Sequence, residues 1–288
     1  MDKPLVSVVV ISYNSSDTIE ETLDSIKAQT YENVELIVSD DNSTDQTCSI
    51  VSKWLDKNKN YFVRAILVSS DINSGPTGNA NRGISKGNGT WIKLIAADDA
   101  LLPNCITDNV HYVSERPDAG VVFSLVSIFG GGQSPVREEF YIRFWHLSKK
   151  QQYMLLLMNN CLFASSAFIK KDTWECLGKF DERIPFIEDW PFWIKAMRND
   201  VLLEFMNKRT VMYRVHSSLS ISPKPSERYL SSLAQVKDYA RKCQWEVSPI
   251  FRLYCYVDSC CSNRLVRALL LLFNPYYWYM RRAFNSLR

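Results

Sequence analysis

The run LVSVVVISYNSSDTIEETLDSIKAQTYENVELIVSDD, Leu5 to Asp41, holds two apolar, β-branched stretches with a helical spacing between them, each closed by small polar side chains. Leu5 to Ile11 is too continuously apolar for a half-exposed edge and predicts a strand covered on both faces. Ile19, Leu23 and Ile26 then recur at helical spacing, and Asp17 with Glu20 predicts a capping box at the start of that helix. Val34 to Ser39 is the second strand. It runs into Asp40-Asp41-Asn42-Ser43-Thr44-Asp45, whose short oxygens suit a turn and the cap of a helix through Ile50, Val51, Trp54 and Leu55.

Working outward, Arg64 to Val68 reads as a third strand, Thr77 to Lys86 as a helix and Trp91 to Ala96 as a fourth strand ending in Asp98-Asp99. Pro103 then opens a helix carrying Ile106, Val110 and Val113. This alternation predicts an α/β fold, a mostly parallel sheet flanked by helices with right-handed crossovers. Such sheets bind ligands outside the carboxyl ends of their strands. Asn14-Ser15-Ser16, Asp40-Asp41 and Asp98-Asp99 all fall at that edge.

Beyond Ser124 the pattern loosens through Gly130-Gly131-Gly132 into a loop expected to run to about Lys150. Cys161 to Ile169, Val201 to Phe205 and Val211 to Val215 read as strands and Asp189 to Arg198 as a helix, giving a mixed half. From Glu227 onward the chain reads as helices, with Pro249 and Pro275 as boundaries. The expected division is 1–125, 126–224 and a helical appendage over 225–288.

With 288 residues, 46% of them hydrophobic, the chain can bury a full core, which excludes a disordered protein. The net charge is only +3, yet residues 241–288 hold eight basic residues against two acids, so the basic character lies at one end. No helix-turn-helix, cysteine finger or aromatic-basic sheet accompanies it, so no nucleic-acid partner is expected. Eight cysteines without metal-site spacing, and an N-terminus without a long apolar segment, predict reduced thiols in the cytoplasm. Met154 to Ile169 and Ala268 to Met280 are broken by Asn159, Asn160, Asn274 and Pro275, and fall short of the ~20 apolar residues a bilayer span needs.

The acids point to the chemistry. No glycine-rich phosphate loop follows the first strand, so dinucleotide-binding and P-loop readings fail. A protein that binds phosphate without such a loop needs another neutraliser, and a divalent cation held by Asp98 and Asp99 fits. Glu188-Asp189 precedes the aromatic face Trp190, Phe192 and Trp193 and offers a carboxylate to deprotonate an acceptor. Each pair, taken alone, also serves as a turn or helix cap.

The ordered strings VSVVVISYNSSDTIEETLDSIKAQTYENVELIVSDDNSTDQT (Val6 to Thr47), Asp98-Asp99 with Pro103, LGKFDE (Leu177 to Glu182), EDWPFW (Glu188 to Trp193) and YRVHSSLS (Tyr213 to Ser220) resemble the family 2 inverting glycosyltransferases. The resemblance covers roughly residues 4–220 and is to the GT-A fold and the bacterial polysaccharide- and lipopolysaccharide-assembly type. It implies metal-dependent transfer, with Mn2+ or Mg2+, from a nucleotide sugar, by default a UDP-sugar, to a saccharide or lipid-linked saccharide. It also implies that 1–125 binds the nucleotide sugar and that 126–224 carries the acceptor site and the base.

Residue by residue, Asp41 resembles the aspartate that accepts from the uracil base, with Ser12, Tyr13 and Asn14 shaping the floor beneath it. Asp98 matches the closing, metal-binding position of the family's Asp-x-Asp motif, and Asp99 the acid that follows; the first acid is replaced by Ala96. Asn79, Asn81 and Arg82 stand where the family has an Ala-Arg-Asn string; Ala80 replaces the arginine, and Arg82 is the candidate to substitute for it, a role the residues alone leave open. His216 resembles a diphosphate or metal contact, and Asp189 the general base, with Glu188 as its rival. One of Trp190, Phe192 and Trp193 is expected to pack the core and another to stack on the acceptor sugar.

Two other classes compete: a nucleotidyltransferase acting on sugar phosphates, disfavoured by the missing basic glycine loop, and a non-catalytic saccharide-binding module, disfavoured by the acid at 189. Residues 225–288 are expected to rest on an anionic membrane, peripherally on its inner face, the alternative being that they pack against the catalytic half or another subunit. Arg264 and Arg267 begin an apolar helix carrying Leu265, Leu269 and Leu272, and Tyr276 to Tyr279 form an interfacial aromatic cluster.

Overall fold

A computed structural model describes residues 3–131, 133–215, 225–261, 263, 272 and 274–279. The elements are β1 (Val6–Ser12), α1 (Ile19–Lys27), β2 (Val34–Asp40), α2 (Thr47–Asn58), β3 (Arg64–Ser69), α3 (Gly75–Ser85), β4 (Trp91–Ala96), β5 (Ala100–Leu101) and α4 (Cys105–Ser114). They continue with β6 (Val121–Phe129), α5 (Glu138–Trp145), α6 (Lys149–Leu156), β7 (Phe168–Lys170), α7 (Lys171–Cys176), α8 (Asp189–Arg198), β8 (Leu203–Arg214), α9 (Glu227–Val247) and α10 (Pro249–Cys260). The chain separates into two compact units, 1–135 with 163–232, and 136–162 with 233–288.

The first unit holds one eight-stranded mixed sheet in the order β3-β2-β1-β4-β7-β6-β8-β5. β3, β2, β1 and β4 are mutually parallel, as the alternation of strands and helices predicts. Val6, Val8, Val9, Val10, Leu36, Ile37 and Val38 are fully or almost fully enclosed, which accounts for unbroken apolar runs instead of an alternating pattern. β7 joins antiparallel to β4 and β6, and β8 runs parallel to β6, so the mixed half continues the same sheet. This is a GT-A-like α/β architecture followed by helices at the C-terminal end.

The local differences from expectation have physical causes. No side-chain cap forms at Asp17: α1 begins after Thr18, whose hydroxyl donates instead to the Ala97 carbonyl at 2.8 Å, tying the helix start to the end of β4. The stretches 201–205 and 211–215 are parts of one strand, β8; its polar Asn207-Lys208-Arg209 is absorbed where the pairing with β6 shifts register around Leu125. Of the 161–169 stretch only Phe168 and Ile169 are strand, in β7, because Ala164–Ser166 forms a 3-10 turn. The loop expected to reach Lys150 instead folds as α5 and the start of α6, whose N-terminus is closed by a capping box between Ser148 and Gln151.

Trp190, Phe192 and Trp193 are all buried. Trp193 packs edge-on against Phe123 at 4.9 Å, and Phe192 against Phe180 at 5.0 Å. None of the three is left exposed for an acceptor sugar; Trp193 and Phe192 hold α8 against β6 and the 177–182 loop. Among the described residues no helix is long and apolar enough to cross a membrane.

Candidate active site

The register of the parallel strands brings the predicted acids to one edge. Ser12 pairs with Asp40, Ile11 with Ala96, and the Ser12 and Ile11 carbonyls accept from the backbone of Asp41 and Ala97 at 3.0 Å each. The turns leaving β1 and β2 place Asn14 and Asn42 at φ 49° and 66°, left-handed backbone that asparagine tolerates better than most side chains. The Asn14 amide oxygen then accepts from Thr44 N at 2.8 Å, clamping the two loops together.

Asp40 and Asp41 divide their roles. Asp40 anchors its own turn, accepting from Ser12 Oγ at 2.8 Å, Ser43 N at 2.8 Å and Ser43 Oγ at 2.6 Å. Asp41, only 2% exposed, crosses to α3. Its Oδ1 accepts from Ser74 N, Ser74 Oγ and Arg82 Nη2 at 3.0, 2.7 and 2.9 Å, and its Oδ2 from Gly75 N at 2.7 Å. A carboxylate at a helix N-terminus is stabilised by the exposed amides and the helix dipole. Oδ2, with one donor, retains acceptor capacity.

The same helix reaches the acceptor side. Thr77 N and Oγ1 donate to the Pro185 and Ile184 carbonyls at 3.1 and 2.6 Å. Gly75 has φ +81°, and a side chain there would lie 2.5 Å from the Pro185 carbonyl oxygen, so this close approach requires glycine. Asn81 commits its amide to Phe180 and Glu182, accepting from Phe180 N and donating to Phe180 O and Glu182 Oε1 at 3.0 and 2.8 Å. It braces the 180–182 segment. Asn79 and Arg82 stay with the other edge: Asn79 Nδ2 donates to Ser12 O at 3.2 Å and its Oδ1 accepts from Arg82 at 2.9 Å. Tyr13 is 49% exposed beside them.

At the end of β4, Asp98 is half-buried, whereas Asp99 is 3% exposed. Asp99 Oδ1 accepts from Arg214 N at 2.8 Å, and Arg214 Nε donates to the Asp98 carbonyl at 2.7 Å. Burial, then the Asp98 charge, pushes the Asp99 carboxyl up to about 8. The folded protein therefore holds a proton that the unfolded chain releases near the ordinary value of 3.8. Stability is unpenalised below that value and falls as pH rises towards 8. In chelator, Asp99→Asn is expected to flatten this part of the pH dependence of unfolding; an unchanged slope between those pH values contradicts it.

Glu188 and Asp189 form the second cluster. Asp189 opens α8 and its Oδ1 accepts from Trp190 N at 2.7 Å. Burial and then the adjacent Asp189 charge hold the Glu188 carboxyl above the usual carboxylate range. The same Asp189 charge, after burial, raises the Tyr229 phenol from α9. Two adjacent carboxyls in one buried site oppose each other's ionisation, and the direction for Glu188 is upward.

The structure brings Ser12, Tyr13, Asn14, Asp41, Arg82, Asp98 and Asp99 to the carboxyl ends of β1, β2 and β4, with Arg82 arriving from α3. Asp189 stands at the end of the segment that α3 holds, and His216 lies outside the described residues. Sequence reasoning missed Ser74, Gly75, Arg214 and Lys93. Lys93 is fully buried and donates to the Ser165 carbonyl at 2.7 Å; its only signal was a lysine inside the apolar WIKLIA run. Arg214 was visible only as part of the YRVHSSLS string. Among the described residues no group of three or more His, Cys, Asp or Glu side chains is arranged to hold a metal.

A parallel sheet with an acidic carboxyl edge, continued by a mixed half that carries a second acidic pair, is a GT-A-like arrangement. The chain belongs to glycosyl transferase family 2, whose family model matches residues 7–172. It is 25% identical over 283 residues to an uncharacterized glycosyltransferase of Methanocaldococcus jannaschii, covering 96% of this chain and 91% of that one. It is 27% identical over 215 residues, 74% of this chain and 78% of the other, to the Escherichia coli UDP-Glc:alpha-D-GlcNAc-diphosphoundecaprenol beta-1,3-glucosyltransferase WfaP. Among solved structures, S. aureus TarS 1-349 in complex with UDP-GlcNAc superposes with a TM-score of 0.66 at 17% identity, covering 98% of this chain and 80% of that one.

Proposed function

We propose that this glycosyltransferase moves a sugar from a UDP donor to a saccharide or lipid-linked saccharide with inversion at the anomeric carbon, and that Asp189 is its general base. The observation that carries this reading is the span of α3. Its first residues bind Asp41 on the nucleotide edge, and Thr77, two residues after Gly75, holds the 184–185 segment that leads to Asp189. The donor-side carboxylate and the segment leading to the base are thus braced by one helix.

Asp41 Oδ2 accepts from the imide N–H of uracil, Arg82 holds the Asp41 carboxylate in place, and Tyr13 and Asn14 border the base above Ser12. The UDP-Glc in the name of WfaP and the UDP-GlcNAc bound in the TarS structure support uridine. Asn81 keeps the 180–182 segment in register with α3, and Asp99 fixes Arg214 beside Asp98. The half-buried Asp98 carboxylate would hold a divalent cation, Mn2+ or Mg2+, which would supply neutralisation of charge on the leaving diphosphate. His216, just after Val215, is assigned to the same diphosphate.

Asp189 takes the proton of the attacking hydroxyl while Glu188 stays protonated. A single displacement needs no covalent enzyme intermediate. The glucosyl acceptor of WfaP, a saccharide diphosphate lipid, supports a lipid-linked acceptor, and the basic 241–288 region supports a peripheral position on the inner face of an anionic membrane. The anomeric configuration of the product, read by NMR of an early time point, tests the displacement: an α-linked donor gives a β-linkage, and a retained α-linkage overturns the mechanism.

A further inference from the structure

We infer that the unit formed by 136–162 and 233–288 seats the phosphate headgroup of an anionic membrane lipid in the cavity between α5 and α6. The inference deepens, and rests on, the peripheral-membrane reading above. The cavity measures about 350 Å³, within the range of small-ligand pockets. Phe140, Phe144, Leu147 and Leu155 give it apolar walls. Arg137 and Arg143 line it as well, and neither has an ion-pair partner among the described residues. Glu139 stands one turn before Arg143 on the same wall, yet no ion pair joins them. Two guanidiniums without an ion-pair partner among the described residues, over an apolar floor, match a phosphate carried on a hydrocarbon chain.

A second observation in this unit points to the same occupant. α10 buries Phe251, Tyr254 and Cys255, but Ile250, Leu253 and Tyr256 are 49%, 57% and 54% exposed at three-residue spacing. Trp245 and Trp278 are also exposed, at 58% and 44%. Asn274 Nδ2 donates to the Ile250 carbonyl at 3.1 Å, and Ser148 Oγ meets Tyr279 Oη at 3.4 Å, so the aromatic segment packs near both α10 and the turn joining α5 to α6. Exposed Trp, Tyr and Leu in a region with eight basic residues against two acids complement an anionic bilayer.

Flotation of the full chain with phosphatidylcholine vesicles, with and without phosphatidylglycerol, tests this. Binding is expected only with phosphatidylglycerol. The double variant Arg137→Gln/Arg143→Gln is expected to weaken it about 30-fold, from roughly fivefold per charge at an anionic surface, and Glu139→Gln to tighten it about fivefold. The double variant Leu253→Ser/Tyr256→Ser is expected to lose vesicle binding while keeping the wild-type unfolding midpoint. Equal flotation of wild type and the arginine variant overturns the headgroup seat, as does saturable binding of inorganic phosphate without vesicle binding. Turnover on a detergent-solubilised lipid-linked acceptor reports on the function reading separately, since it requires no bilayer.

Discussion

Asp189→Asn is expected to lower acceptor-dependent turnover at least ~100-fold while leaving the fold and nucleotide-sugar affinity intact, because positioned proton transfer contributes about 10²–10⁴ in rate. The amide keeps the shape of the side chain and can still accept from Trp190 N, so α8 keeps its start. Loss of a cap alone costs only about 1 kcal/mol of stability and leaves turnover nearly unchanged, which separates the two roles. Glu188→Gln is expected to be milder, since Glu188 already holds a proton beside a charged neighbour. Near-normal turnover of Asp189→Asn with donor and acceptor both saturating contradicts the assignment.

Asp98→Ala is expected to reduce turnover about 10²–10³-fold, the usual effect of removing one stabiliser of developing charge. Wild-type activity is expected to fall similarly in chelator and to return with Mn2+ or Mg2+. The fold is expected to survive, because Asp98 is half-buried at the sheet edge and its contact with Arg214 uses the backbone carbonyl, which alanine retains. Ala96 in place of the first acid of the motif leaves Asp98 without that partner, so the substitution removes the edge's accessible carboxylate while Asp99 stays enclosed. Full activity in chelator overturns the assignment.

The first half of the fold was legible because its signals are local and repeat. Apolar runs of strand length alternate with helical spacing, and the boundaries of β4 and α8 were readable to the residue from WIKLIA and from the acidic pair Glu188-Asp189 before WPFW. The mixed half was harder. β8 crosses a polar stretch by shifting register, and α5, a helix of only eight residues after the glycine-rich loop, is too short to establish a period on its own. The site was legible as a set of acids and illegible as a division of labour. Nothing local tells Asp40, which closes its own turn, from Asp41, which reaches Ser74 and Gly75 thirty-three and thirty-four residues away. Nor does local sequence reveal that Asn81 braces Phe180 or that Lys93 is buried against Ser165, since both depend on tertiary contacts.

The central claim, transfer from a nucleotide sugar on this edge, is tested most directly by nucleoside diphosphate release. The wild-type chain is incubated with a panel of UDP-, GDP- and dTDP-sugars, with and without a saccharide acceptor. The account predicts release of UDP from at least one UDP-sugar, accelerated by acceptor, abolished by Asp41→Ala and reduced to the acceptor-free level by Asp189→Asn. Release confined to the other nucleotides, or UDP release that is indifferent to both substitutions, contradicts it.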